Sequence, residues 1–133
     1  MKMPDASDSR HRFGQDSEAM AEQFLLAKGY RIVARNVRTQ LGELDIVAED
    51  KGVLVFIEVK GRTTEAFGGA LLAVNRRKQM KLVQLASQYL ARYHLSDRPC
   101  RFDVVLVHGV PSSGGRIEHL QNAFDASVNG PCP

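Results

Sequence analysis

A chain of 133 residues, 44% of them hydrophobic and 25% charged, can bury one core of useful size but hardly two. No stretch reaches the roughly 20 apolar residues of a membrane span, and the opening Met1-Lys2-Met3-Pro4-Asp5 lacks the apolar run of a secretory signal. The expectation is therefore a cytoplasmic protein without a membrane partner. Net charge is only +3, yet the segment from Leu26 to Arg101 holds 14 basic against 7 acidic residues, and the rest of the chain 4 against 8. A basic middle suits a polyanion, because each neutralised phosphate releases counterions, although an ordinary solvated surface accounts for the charge equally well. Cys100 and Cys132 match no metal-binding or disulfide spacing and are read as free thiols.

Residues 1–12 are polar and without periodicity, which predicts a disordered lead. From about Gln15 to Lys28, Ala19, Ala21, Phe24 and Leu25 recur at helical spacing, and Gly29 supplies a stop. Glu18 falls on or beside that apolar stripe, where an acid needs a partner such as a metal or a base. A first-turn Glu favoured by the helix dipole is the plainer account, and the spacing leans to it. Tyr30 to Arg38 reads as an amphipathic, basic strand near a sheet edge, with Arg31, Arg35 and Arg38 among Ile32, Val33 and Val37.

The most informative stretch follows. Gly42 to Glu49, a turn at Asp50-Lys51-Gly52, and Val53 to Arg62 form a predicted hairpin. Strict alternation puts Leu44, Ile46 and Ala48 on one face and Asp45, Val47 and Glu49 on the other. On the second strand Val53, Val55, Ile57 and Val59 share one face, and Leu54, Phe56, Glu58 and Lys60 share the other. Both faces of residues 53–57 are apolar, as in a central strand, so Glu58 and Lys60 emerge from a buried position. A self-satisfied ion pair would explain them structurally, but such pairs often do no better than a hydrophobic replacement. If the register brings Asp45 opposite Glu58, two converging carboxylates favour a hard divalent cation. Lys60 then lies where it can orient a metal-bound water and stabilise charge gathering on phosphorus.

Beyond Gly61, Arg62 continues the alternation and can fork onto a phosphate, or be a surface arginine at the start of a loop. Residues 63–69 read as a loop beside the site. A second helix is predicted from the N-cap Asn75 to His94, with Leu82, Leu85, Ala86, Tyr89 and Tyr93 on its buried stripe. Its first turns carry Arg76, Arg77, Lys78 and Lys81, cations that the helix dipole disfavours and an anionic partner would relieve. Arg101 to His108 is a strongly apolar strand in which Asp103 can join the acidic site or serve a structural hydrogen-bonding role, the latter being favoured. Residues 111–115 form a turn, 116–120 a short edge strand, and 126–133 a loose tail, leaving residues 13–125 as a single domain. The four histidines show no ligand spacing.

Asp45, a twelve-residue interval, and Glu58-Val59-Lys60, preceded by the helical Glu18, resemble the PD-(D/E)XK nuclease superfamily, and most of all its branch related to archaeal Holliday-junction resolvases. Gly14 with Glu18, Gly29-Tyr30, Arg35-Asn36, Gly42-Glu43-Leu44-Asp45, Phe56 to Arg62, Phe67-Gly68, Lys78, Arg101 to Val104 and Asn122-Ala123-Phe124 are similar to the bacterial YraN family. The resemblance implies an α/β, restriction-endonuclease-like three-layer core, a mixed sheet flanked by helices in the order α-β-β-β-α-β-β. It implies Mg²⁺ (or Mn²⁺) on Asp45, Glu58 and the Val59 carbonyl, with Lys60 positioning the water and Glu18 completing the acidic cluster. Leu44 stands where the superfamily's proline would be. Glu43 is taken to face away from Asp45 and to serve a supporting or structural role. The activity implied is metal-dependent hydrolysis of nucleic acid, DNA foremost and branched or structured DNA by analogy with resolvases, with Arg62, Arg76, Arg77 and Lys78 on the phosphates and a homodimer as the working form. The alternative is a nucleic-acid-binding module or accessory subunit that keeps the fold without cutting.

Overall fold

A computed structural model of the chain describes residues 6–62, 75–108 and 116–124, with side chains in the first stretch from Ser17 to Gly61. In chain order the elements are α1 (Ala6–Ala27), β1 (Arg31–Thr39), β2 (Gly42–Asp50), β3 (Val53–Arg62), α2 (Arg76–Arg92), β4 (Cys100–His108) and β5 (Arg116–Leu120). This is the α-β-β-β-α-β-β order expected of the nuclease-like core. The predicted loop at 63–69, the turn at 111–115 and the tail at 126–133 lie outside the described residues.

α1 starts at Ala6, so the lead expected to be disordered is helical from there on. A polar helix has no apolar stripe, and a search for periodicity does not see it. Its described inner face is Ser17, Ala21 and Leu25, all buried. At the far end Gly29 takes φ +94°. The Gly29 N–H donates to the Leu26 carbonyl and the Tyr30 N–H to the Leu25 carbonyl, both at 3.0 Å, closing the helix in a Schellman turn.

The five strands lie in sequence order, β1-β2-β3-β4-β5, in a mixed sheet. The β2–β3 hairpin turns at Lys51 (φ 51°) and Gly52 (φ 85°), a pair of positive values that matches the right-handed twist of its strands. α2 then carries the chain across to β4, which pairs parallel with β3 from Leu54↔Cys100 to Arg62↔His108. Leu54, Phe56, Phe102, Val104 and Leu106 pack under α2 through Leu82, Leu85, Ala86 and Tyr89. Val55, Ile57, Val105 and Val107 pack on the other face under Ala21 and Leu25 of α1. The central strand is covered on both sides, as its doubly apolar sequence requires.

Strict alternation fails on β2. Ile46 and Ala48 face α1 as a pair, but Leu44 joins Val47 on the α2 side. The phase slips at Asp45, and it slips on β1 as well, where Ala34 and Val37 both pack on the α2 side. Asn36, the β1 residue between the Arg35↔Ile46 and Val37↔Leu44 pairs, has φ 52°. A left-handed residue kinks a strand and re-aims its side chains, and asparagine tolerates it better than most.

The same slip opens the sheet. The β2–β3 ladder runs from Asp50↔Val53 only to Ile46↔Ile57. Beyond it β2 stays with β1 down to Thr39↔Gly42, and β3 stays with β4 up to Arg62↔His108. The sheet therefore forks, with Asp45 and Glu58 at the vertex.

α2 is capped by Asn75, whose Oδ1 accepts from the Lys78 N–H at 2.9 Å, and ends at Arg92 rather than His94. Tyr93, expected in the core, is half exposed because it sits past the helix end, its ring tilted against that of Tyr89 with centroids 4.8 Å apart. Cys100 is disulfide-bonded, contrary to the free thiol expected, and its partner lies outside the described residues. Local spacing gave no cue, because no second cysteine stands near Cys100 in sequence. No helix among the described residues is long and apolar enough to cross a membrane.

Asp103 has the structural role predicted for it. Its fully buried carboxylate accepts from Arg101, from His119 Nε2 at 2.8 Å and from the Asn122 N–H at 2.9 Å. Burial alone would push its pKa up, but these donors hold it below the ordinary value. The stability it contributes is present above the unfolded aspartate's pKa and lost as pH falls through the lower folded value. Asp103→Ala strips Arg101 and His119 of a shared partner and should cost about 3 kcal/mol or more, measured as a lower urea midpoint at unchanged slope.

Candidate metal centre

Once β2 and β3 part, the Val59 N–H has no carbonyl opposite it. The Asp45 side chain fills the gap, its Oδ2 accepting from the Val59 N–H at 2.9 Å. The N–H and C=O of one residue point to the same strand edge, so the Val59 carbonyl faces the fork too. Asp45 and Glu58 lie near enough to shift each other's titration. Burial first, and then the charges of Glu58, Glu18 and Glu43, push Asp45 up to about 8, against the opposing Val59 hydrogen bond.

Glu18 of α1 and Glu43 of β2 reach the same point from the α1 side. One carboxylate oxygen from each of Glu18, Glu43 and Asp45 lies within 4.8 Å of the others. Glu43 thus faces Asp45, where the sequence reading turned it away. Residues i and i+2 on a strand share a face, and the kink preserves that proximity. What keeps the acids together is Asn36. Its Nδ2 donates to Glu18 Oε2 at 2.9 Å and to Glu43 Oε1 at 2.7 Å. Sequence reading assigned Asn36 no role, yet an asparagine inside a strand pattern, poor at strand formation and tolerant of positive φ, was the available signal. Beneath α1, Glu18, Asn36 and Asp45 line a cavity of about 250 Å³ shared with Glu22, Arg35 and Ile46.

Glu58 enters from the α2 side and is 5% exposed. Burial raises its pKa, opposed by the charges of Lys78 and Lys60. Lys78 Nζ stands 3.5 Å from Glu58 Oε1, while Glu58 Oε2 is buried with no fixed donor, and the carboxyl of Asp45 is near enough to share a proton with Glu58. Asp45 shared between Glu58 on one side and Glu18 with Glu43 on the other gives a set of carboxylate oxygens that a hard, oxygen-seeking divalent cation fits. Lys60 is exposed at the mouth of the fork. Lys78, expected on phosphate, is thus drawn to Glu58, whereas Arg76 and Arg77 are exposed. The side chain of Arg62 lies outside the described residues. The basic β1 edge is largely neutralised, with Arg31 on Glu49, Arg35 on Glu22 and Arg38 on Glu43.

Two outcomes follow for the metal-free protein. Asp45 holds its proton in the folded state over a range where the unfolded chain has released it. The stability this contributes is therefore full below the unfolded value of roughly 4 and lost as pH rises to about 8. Asp45→Asn should abolish that loss, raising the melting temperature at pH 8 by about 5 °C without divalent cations while changing it little at pH 5. Lys78→Met leaves Glu58 without its cation and should cost about 1–2 kcal/mol in chemical denaturation, less than a fully buried pair because the lysine is partly exposed. Adding Glu58→Gln to that variant should restore most of the loss.

The chain matches the uncharacterised protein family UPF0102 over residues 17–107, a span that includes Glu18, Asn36, Glu43, Asp45, Glu58, Lys60 and Lys78. It is 50% identical over 115 residues to a UPF0102 protein of Symbiobacterium thermophilum, covering 86% of this chain and 98% of that one. It is 43% identical to UPF0102 proteins of Desulfosudis oleivorans, covering 91% of this chain and 96% of the relative, and of Pseudomonas putida, covering 92% and 99%. Among solved structures it is similar, at a TM-score of 0.37 and 17% identity over 86% of this chain and 64% of the other, to SfsA of Pyrococcus furiosus in complex with Ca²⁺. The chain belongs to the uncharacterised protein family UPF0102.

Proposed function

We propose that the protein is a Mg²⁺-dependent endonuclease, with Mn²⁺ able to substitute, that hydrolyses DNA phosphodiester bonds, with branched or otherwise structured DNA as its substrate. The observation that carries this reading is the convergence at one fork of Asp45 and the buried, partly orphaned Glu58 with Glu18, Glu43 and two lysines. Asp45 and Glu58 would hold the ion, with the Val59 carbonyl on the same strand edge and Glu18 completing the acidic set. A bound Mg²⁺ supplies a Lewis acid for the phosphoryl oxygen and lowers the pKa of its water.

The remaining work belongs to the chain. Lys60, exposed at the fork mouth, orients the attacking water and faces the charge that builds on phosphorus. Lys78 balances Glu58 from the α2 side. Arg76 and Arg77, with Arg62 as the last residue of β3, meet flanking phosphates, where an anion also relieves the unfavourable cations at the α2 N-terminus. Asp45 must give up its proton before it can ligate, so binding releases protons and tightens as pH rises toward 8.

Cleavage of single-stranded, duplex and four-way-junction DNA in Mg²⁺ or Mn²⁺ tests the reading. Wild type should cut at least one of these, and Asp45→Asn, Glu58→Gln and Lys60→Met should each lower the rate by roughly 100-fold or more while still binding DNA. Arg76→Ala with Arg77→Ala should instead weaken binding and reduce its salt dependence by about two phosphate contacts. Binding without cutting by wild type would return the protein to a non-catalytic nucleic-acid module.

A further inference from the structure

The acids at the fork pose a problem in the absence of a cation: Glu18, Glu43 and Asp45 repel one another, and nothing in a generic α/β sheet would bring the first two together. Asn36 answers it. Its single amide nitrogen donates to Glu18 Oε2 at 2.9 Å and to Glu43 Oε1 at 2.7 Å, so both N–H bonds of the amide are committed to carboxylates on two different elements. Its backbone holds the left-handed conformation, φ 52°, at the place where β1 changes phase. The same kink turns Asn36 and Arg35 toward α1, and Arg35 ties to Glu22 one helical turn beyond Glu18 at 3.1 Å. Backbone geometry and side-chain chemistry thus act on the same pair of acids.

We propose that Asn36 is the positioning residue of the cation site: its amide fixes the spacing of Glu18 and Glu43 before any ion arrives, and this sets how tightly a divalent cation is held. The inference rests on the reading of the fork as a cation site. An amide is neutral and cannot compete as a cation would, so it orders the carboxylates and leaves their negative charge intact. Partners that orient ligating groups in this way typically account for about 10- to 100-fold in metal affinity.

Asn36→Gly is the informative variant. Glycine adopts positive φ freely, so the kink survives while the amide is lost. Mn²⁺ is titrated into wild type, Asn36→Gly, Glu18→Gln/Glu43→Gln, and the triple variant, and free Mn²⁺ is read from its electron paramagnetic resonance signal. Thermal melts without metal show that each variant retains a cooperative transition. The expected result is Mn²⁺ binding weakened about 10- to 100-fold by Asn36→Gly in the wild-type background and less than about 2-fold when Glu18 and Glu43 are already neutral. Wild type that binds with Asn36→Gly undiminished, or an equal loss in both backgrounds, overturns the role of Asn36 alone. Wild type that takes up no Mn²⁺ overturns the cation site itself and this inference with it.

Discussion

The structure depends on one substitution of partners: a side-chain carboxylate standing in for a backbone carbonyl. Where β2 and β3 separate, the Val59 N–H would be left without an acceptor, and Asp45 supplies one at 2.9 Å. An unpaired buried N–H costs about as much as a lost hydrogen bond, so Asp45 is what makes the fork tolerable to the fold. The fork in turn lets groups from opposite faces of the sheet meet. Asp45 is the link between them: it is grouped with Glu18 and Glu43 on one side and shifts the titration of Glu58, which pairs with Lys78 of α2, on the other.

This arrangement concentrates negative charge in a partly dry place and then manages it. Asn36 orders Glu18 and Glu43, Lys78 offsets part of Glu58, and Asp45 retains its proton well above the ordinary aspartate range. Each measure is local and incomplete, and Glu58 Oε2 has no fixed donor, only the shared proton of Asp45 being near. Natural structures seldom leave a buried carboxylate oxygen in that condition without a use for it. One register step away, on β4 opposite Ile57, the contrast is instructive: Asp103 is as deeply buried, yet Arg101, His119 and the Asn122 N–H satisfy it, and its pKa falls instead of rising. One buried acid is wired for stability and the other is kept short of partners.

Much of this was legible in the sequence, and the exceptions share a cause. The apolar runs of β3 and β4, the Gly29 stop, the Asn75 cap and the hairpin turn report short-range preferences that tertiary packing did not override. Asp45, Glu58 and Lys60 stood out because charge in an apolar strand is costly. Asn36 did not, because its role depends on a break in strand phase, whereas the side Glu43 shares with Asp45 follows from plain alternation and was legible two residues away. Lys78 was legible as basic but not as the partner of Glu58, since that contact joins a helix start to a strand end across the sheet. The disulfide of Cys100 and the helical lead escaped for similar reasons, one being a long-range contact and the other a helix without an apolar stripe.

The most direct measurement is a crystal structure of the protein soaked with Mn²⁺, with the ion located by its anomalous scattering. The account predicts a peak at the β2–β3 fork within about 2.0–2.4 Å of carboxylate oxygens from both Asp45 and Glu58. A fork that stays without a peak while Mn²⁺ binds elsewhere, or that holds only water between those two residues, would contradict it.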